Sequence, residues 1–302
     1  MQQPHEDGTH TIAVVICTYG AADVITDCLD SLAATTGVRL RVAICDNASP
    51  DATVAVVTDW AAKRGIDVTH AHAGDQAGAD PAWLSIVQSP SNLGFAGGVN
   101  AGLTWFLSRP EIDLFWVLNP DSVVPPATPA VFATASDGFS LMGGRVVYYD
   151  DPTKIQIDGG QIRWHLGVTD NINQYGDPAT VPTPDAADMD FITGASMVAS
   201  RQFYETVGPL QEDYFLYYEE VDWAQRRGDL PLAYAKDARV YHKAGTAIGS
   251  QGLNRGPSVF SLYFLHRARL RFLWRFSKSG LIGGIAYSAA KAAQLLLRGQ
   301  TR

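Results

Sequence analysis

The chain has 302 residues, 46% of them hydrophobic and 18% charged, with a formal net charge of −8. That is ample for a sizeable core, arranged as one large α/β domain or two small ones. No uninterrupted apolar run reaches the 18 residues of a membrane-crossing helix, and the polar start "MQQPHEDGTH" argues against a signal peptide.

In chain order, "TIAVVICTYG" (11–20) is a short β-branched run ending in polar residues and glycine, as a buried parallel strand does. "AADVITDCLDSLAAT" follows with Val24, Ile25, Cys28, Leu29 and Leu32 at helical spacing. "LRVAICDNASPD" (40–51) is a second strand with an acidic tip, and "ATVAVVTDWAAKRG" is a second helix closed by Gly65. Cys17, Cys28 and Cys45 are odd in number and lack metal-ligand spacing, so reduced thiols in a cytosolic protein are expected. A third strand is predicted near "WLSIVQS" (83–89), and the glycine-rich "NLGFAGGVNAG" opens a helix running to about Phe106. A strand holding Leu114 to Leu118 comes next, while 148–190 is rich in Asp, Pro and Gly and reads as irregular loops and hairpins. Strands alternating with helices predict an α/β fold, a Rossmann-like, mostly parallel sheet with helices on both faces. Ligands bind such sheets at the carboxyl ends of the strands, where Thr18-Tyr19, Asp46-Asn47 and Asn119-Asp121 would gather.

The stretch "DLFWVLNPDSVVPP" (113–126) drops from a buried strand into Asn119-Pro120-Asp121. A strand tip is a rigid base for an oxygen ligand, and a divalent cation held there would neutralise a diphosphate leaving group. Asn, Pro and Asp all favour turns, so a simple turn is the plain alternative.

Read in order, "CDNAS", "NLGFAGGVN", "NPDS", "DYFLYYEEVDWAQRR" (213–227) and "ARVYHKAG" (238–245) resemble the family-2 glycosyltransferases, which have the GT-A fold. The resemblance covers residues 11 to 245 and is strongest to the bacterial rhamnosyltransferase-like branch that builds surface polysaccharides. It implies that Thr18, Tyr19, Gly20 and Asp46 hold the nucleotide, and that Asn92, Gly94 and Gly98 belong to the loop over the nucleotide-sugar. Backbone N–H groups at a helix start favour phosphate, and glycine permits close approach. The glycine spacing is not a dinucleotide fingerprint, so a nicotinamide cofactor is rejected. Asn119-Pro120-Asp121 matches the metal-binding "DXD" motif with its first acid replaced, which leaves Asp121 as the carboxylate ligand.

Sugar transfer with inversion needs one carboxylate to take the acceptor proton. The resemblance aligns Glu219-Glu220 with the family's "ED" pair and points to Glu220 as base, with Glu219 and Asp222 as the neighbouring candidates. These acids also suit a helix start, where Asp222 would reach Arg226 at i,i+4. The resemblance makes His242 a second metal ligand, for Mn²⁺ or Mg²⁺, imidazole suiting Mn²⁺ better. "DFITGASMVASR" (190–201) matches the segment flanking the donor sugar, with Thr193 and Gly194 as sugar contacts.

From Gln251 onward there are nine Lys or Arg and no Asp or Glu, against a net charge of −17 in the remainder. The chain therefore divides into a catalytic domain (1–250) and a basic amphipathic helical tail (251–302). Helices lying on an anionic membrane surface are expected, the alternatives being a lid on the acidic domain face or a dimer interface. Nucleic acid is not an expected partner, because the bulk of the chain is acidic. The expected activity is an inverting, metal-dependent glycosyltransferase. Its donor would be a dTDP- or UDP-sugar, rhamnose first, and its acceptor a glycan or lipid-linked sugar. The expected location is cytoplasmic, peripheral on the inner face of the cell membrane. A non-catalytic nucleotide-sugar-binding subunit and a sugar-1-phosphate nucleotidyltransferase are the competing readings; the latter would want cations after the first strand, where "CTYGAAD" has none.

Overall fold

A computed structural model describes residues 11–79, 81–134, 138–244 and 258–297. The polar N-terminal start, the domain boundary at 250 and the tail's Arg255, Arg298 and Arg302 lie outside the described residues.

The first half alternates as expected: β1 (Thr11–Thr18), α1 (Ile25–Ala33), β2 (Arg39–Asp46), α2 (Thr53–Arg64), β3 (Val68–His72), β4 (Leu84–Gln88), α3 (Gly94–Leu107) and β5 (Ile112–Leu118). These five strands are parallel, in the order β3-β4-β2-β1-β5. Successive residues of β1 point to opposite faces. Ile12, Val14 and Ile16 enter one apolar cluster, Ala13 and Val15 the other. Both faces are covered by helices, which is why the strand is an unbroken apolar run. Gly65 caps α2 in the left-handed region at φ 67°, where a side chain would be strained.

The second half is less regular. It runs through β6 (Ser122–Val123), α4 (Thr128–Ala133), β7 (Leu141–Tyr148), β8 (Ile155–Ile157), β9 (Gly160–Arg163), β10 (Val168–Asn171), β11 (Ser196–Ser200), α5 (Arg201–Val207), α6 (Glu219–Gln225) and β12 (Ala233–His242). β11 inserts antiparallel between β5 and β7, and β12 runs parallel to β7. β9 and β10 form a separate hairpin inside the stretch expected to be loops and hairpins. Asp158 anchors that stretch, accepting from Arg145 at 2.8 Å, Asn173 at 2.8 Å and Tyr234 at 2.9 Å. The Arg145–Asp158 pair is buried on both sides, so its bonds must offset a large desolvation cost.

The tail forms α7 (Val259–Phe276) and α8 (Lys278–Leu297). Ala268 and Phe272 of α7 belong to the same apolar cluster as α3 and β1. The arginines of α7 are engaged by protein rather than turned outward. Arg267 donates to Tyr214 O at 2.8 Å, Arg271 pairs with Asp213 at 2.7 Å, and Arg275 with Asp213 and Asp222 at 3.0 Å. α7 thus packs against acidic residues of the preceding domain. α8 is different. Its Gly280 and Gly283 lie where a Cβ would overlap the carbonyls of Trp164 and His165, and its other face is open to solvent. By length and composition α8 is long and apolar enough to cross a membrane, where no such span was expected, and only 11% of it is buried.

Candidate active site

The carboxyl ends of β1, β2 and β5 border a cavity of about 400 Å³ lined by Tyr19, Asn47, Asn92, Gly94, Asn119, Asp121 and His242 among others. It lies where the strand order reverses on either side of β1, the expected place for a ligand in an open α/β sheet.

Asp121 and His242 are brought together by the two-residue strand β6. Ser122 pairs with His242 and Val123 with Tyr241, so the NPD turn is stitched to the end of β12. Asn119 N–H donates to Ala195 O at 3.0 Å and Lys243 N–H to Asp121 O at 3.0 Å, which hold the turn from both sides. The outcome is Asp121 Oδ1 at 3.0 Å from His242 Nε2, both side chains largely buried. The Asn119 amide lies 3.1 Å from the same Nε2, and Gln156 Oε1 lies 2.9 Å from Nδ1. The Gln156 oxygen assigns the donor proton to Nδ1, leaving the Nε2 lone pair facing a carboxylate oxygen. The Asn119 amide donates to that lone pair, and a cation between Asp121 Oδ1 and Nε2 would take its place. A carboxylate oxygen and an imidazole nitrogen are a fitting donor pair for Mn²⁺ or a similar cation. Among the described residues no cluster of three or more His, Cys, Asp or Glu ligands occurs. The remaining coordination positions would thus fall to substrate and water.

The nucleotide-side residues separate into lining and supporting groups. Tyr19 is exposed at the cavity. Thr18 is fully buried and donates to Asp46 Oδ1 at 3.3 Å, while Asp46 Oδ2 accepts Ser49 N–H at 3.2 Å. Gly20 N–H donates to Ser49 Oγ at 3.1 Å, so it ties the first loop to the second and is not among the lining residues. Asn47, which the sequence places at the β2 tip beside Asp46 without giving it a role, has one in the structure. Its amide donates to Gly94 O at 2.8 Å and Asn92 Oδ1 at 3.2 Å, and its oxygen accepts Leu93 N–H at 3.0 Å. It binds the β2 tip to the glycine-rich loop.

The glycines of that loop also make close packing possible. Gly94, at φ 75°, leaves room for the Phe215 backbone, and Phe95 N–H donates to Phe215 O at 2.9 Å. A Cβ on Gly98 would overlap Cys17 Sγ, so Gly98 seats α3 on β1 and does not line the cavity. Burial, with Asp46 and Glu219 nearby, pushes the Cys17 thiol up to about 12, so it is an inert packing group.

A second cavity of about 140 Å³ adjoins through Gln156, which lines it together with Thr169, Asn171, Thr193, Tyr217 and Glu220. Glu220 and Thr193 therefore sit beside His242's partner rather than in the larger cavity. Gly194 faces Phe95 and the Glu220 carboxyl and gives that carboxyl its N–H. Burial raises the Glu220 pKa above the ordinary Glu value even against these N–H bonds. Glu219 is only 1% exposed, its Oε1 has no hydrogen-bond partner among the described residues, and it lines neither cavity. Desolvation first, and the charge of Glu220 second, raise its pKa far above the usual range. Asp222, offered with them as a catalytic candidate, is fully buried and occupied. It accepts Tyr214 OH at 2.9 Å, Arg226 at 2.8 Å and Arg275 at 3.0 Å.

The backbone before this acid cluster is strained. Phe215, Tyr217 and Tyr218 all have φ of 70°, the left-handed region that bulky residues avoid at a cost of about 1–3 kcal/mol each. Gly94 makes room for it, Arg267 holds Tyr214 O, and Tyr218 OH donates to Gly167 O. Phe215 lines the large cavity and Tyr217 the small one, so this run separates the two. Phe260 from α7 completes the large cavity's wall, a contribution that the basic composition of the tail had masked.

A parallel sheet with a switch-point cavity, an acid–imidazole pair on its rim and a carboxyl beyond it define a group-transfer enzyme of the GT-A fold. The chain belongs to the family described as Glycosyl transferase family 2, whose model matches residues 13–187, and it is a glycosyltransferase. Solved structures of low sequence identity share the fold. The mannosyltransferase PcManGT from Pyrobaculum calidifontis, in complex with GDP-Man and Mn²⁺, has TM-score 0.53 and 18% identity over 95% of this chain and 79% of its own. S. aureus TarS 1–349 in complex with UDP-GlcNAc has TM-score 0.54 and 13% identity, covering 87% of this chain and 65% of that one. GalNAc-T7 with UDP, GalNAc and Mn²⁺ has TM-score 0.56 and 10% identity, covering 86% and 47%. No curated protein matches the sequence.

Proposed function

We propose that this glycosyltransferase is inverting and metal-dependent, and moves a sugar from a nucleoside diphosphate to a glycan or lipid-linked acceptor at a membrane surface. The observation that carries the reading is the Asp121–His242 pair, 3.0 Å apart on the cavity rim, with Glu220 in the cavity adjoining through Gln156. Asp121 and His242 would hold a divalent cation, which when bound supplies positive charge to the diphosphate leaving group. Tyr19 and the Asp46–Asn47 tip would seat the nucleotide. Glu220 would accept the acceptor hydroxyl's proton as that oxygen bonds to the anomeric carbon and the diphosphate departs. Its raised pKa suits a base that must bind a proton near neutral pH. The solved neighbours with GDP-Man or UDP-GlcNAc support a nucleotide-sugar donor. The dTDP or UDP class, with rhamnose first, rests on the motifs alone.

Membrane attachment through α8 is supported by its exposed Ile282, Ile285, Leu296 and Leu297, its Lys278 and Lys291, and the absence of acids from 258 to 297. A basic, acid-free helix of this kind suits an anionic membrane surface, which supports a peripheral position on the inner face of the cell membrane. The test is a panel of nucleotide sugars screened for Mn²⁺-dependent hydrolysis with the intact chain. Turnover of one donor, lost on adding a chelator and in His242→Ala, is expected. Turnover indifferent to both would overturn the metal assignment, and no turnover of any donor would favour a binding subunit.

A further inference from the structure

We propose that Gln156 is a positioning residue for the cation site, and that it acts by fixing which nitrogen of His242 is free. The inference rests on the proposed metal role of Asp121 and His242 and extends it to a residue that lies outside all the sequence motifs. Gln156 lies in β8, a three-residue strand antiparallel to β7, and β12 lies on the other side of β7. This places the Gln156 side chain across from the end of β12, with Oε1 2.9 Å from His242 Nδ1.

An imidazole can offer Nε2 to a cation only while its remaining proton resides on Nδ1, and that proton needs an acceptor. Among the described residues Gln156 Oε1 is the group that meets Nδ1. On the other side of the ring, the Asn119 amide and Asp121 Oδ1 both converge on Nε2. Three side chains thus determine the orientation of one ring, and Gln156 sets its polarity. The residue type follows from the neighbourhood. Gln156 also lines the cavity that holds Glu220, and an amide accepts the Nδ1 proton without adding another carboxylate there.

The test is a titration of the full chain with Mn²⁺ alone, with free Mn²⁺ followed by electron paramagnetic resonance, in Gln156→Met and Gln156→Glu beside wild type and His242→Ala. Methionine keeps the length and volume but accepts no proton from Nδ1; glutamate keeps the acceptor. Gln156→Met should weaken Mn²⁺ binding about 10–100-fold, whereas Gln156→Glu should stay within about threefold of wild type or bind tighter. Circular dichroism melting of both variants controls for folding. If Gln156→Met binds like wild type while His242→Ala does not, the positioning role falls and the metal assignment stands. If both substitutions weaken binding equally, shape rather than proton acceptance is at work, and the proposal falls as well. Wild type that binds no Mn²⁺ removes the underlying reading along with it.

Discussion

Arg275, near the end of α7, pairs at 3.0 Å with Asp222, the last acid of the 219–222 cluster. Asp222 also holds Arg226 and Tyr214, so one buried carboxylate joins the tail, helix α6 and the aromatic run before it. Removing that charge takes a buried carboxylate from two guanidinium groups, Arg226 and Arg275, of which Arg275 keeps Asp213. Asp222→Asn should destabilise the fold by about 3 kcal/mol, read as a lower urea midpoint with an unchanged slope. The folded fraction should keep its turnover number, since Asp222 reaches neither cavity. A collapse of turnover without loss of stability would return Asp222 to the catalytic group.

Glu220 is the acid that opens to a cavity. Glu220→Gln should lower turnover about 10²–10⁴-fold while leaving nucleotide affinity unchanged. Isothermal titration with the nucleotide beside steady-state rates distinguishes this from a binding defect.

Glu219 should reveal itself through stability. Its folded-state pKa lies well above the ordinary value of 4.5, so the native state keeps a proton that the unfolded chain has already lost. Stability from this group is fully present below that value and is lost as pH rises towards the folded pKa. Glu219→Gln removes the loss. Its melting temperature relative to wild type should therefore rise on going from mildly acidic to mildly alkaline buffer, by the equivalent of at least about 1 kcal/mol. A difference that does not change with pH would contradict the assignment.

Gly98 is a packing residue by its contacts. Gly98→Ala should push α3 away from β1 at Cys17 and cost about 1–3 kcal/mol. Nucleotide affinity of the protein that remains folded should change little, because the residue does not line the cavity. Thermal melts with and without the nucleotide would check both halves.

The parallel half of the sheet could be read from the sequence because its strands are buried on both faces. β1, β2, β4 and β5 appear as continuous apolar runs with polar tips, and α1 to α3 as helical periods between them. β3 was missed because "VTHAH" at the sheet's edge is only partly buried, and its exposed histidines break the pattern. β7 was missed for the opposite reason. It is wholly buried yet carries Gly143, Gly144 and Arg145, and the arginine is tolerated only because Asp158 arrives from a distant turn. The candidate site divides along the same line. Tyr19, Asn92, Gly94, Asp121, His242 and Glu220 stand at cavities. Thr18, Gly20, Gly98, Glu219 and Asp222 support them from beneath. Gln156 and Phe260 carried no signal of their own, since their positions depend on pairings between remote strands and on where α7 docks.

Phe260 has a practical consequence. The helix that supplies it also neutralises Asp213 and Asp222, so the segment most tempting to trim for easier handling is part of the substrate chamber. An enzyme shortened before Val259 would gain an open side, strip Asp213 of Arg271 and Arg275 and leave Asp222 with Arg226 as its cation, so inactivity in such a preparation would reflect that damage.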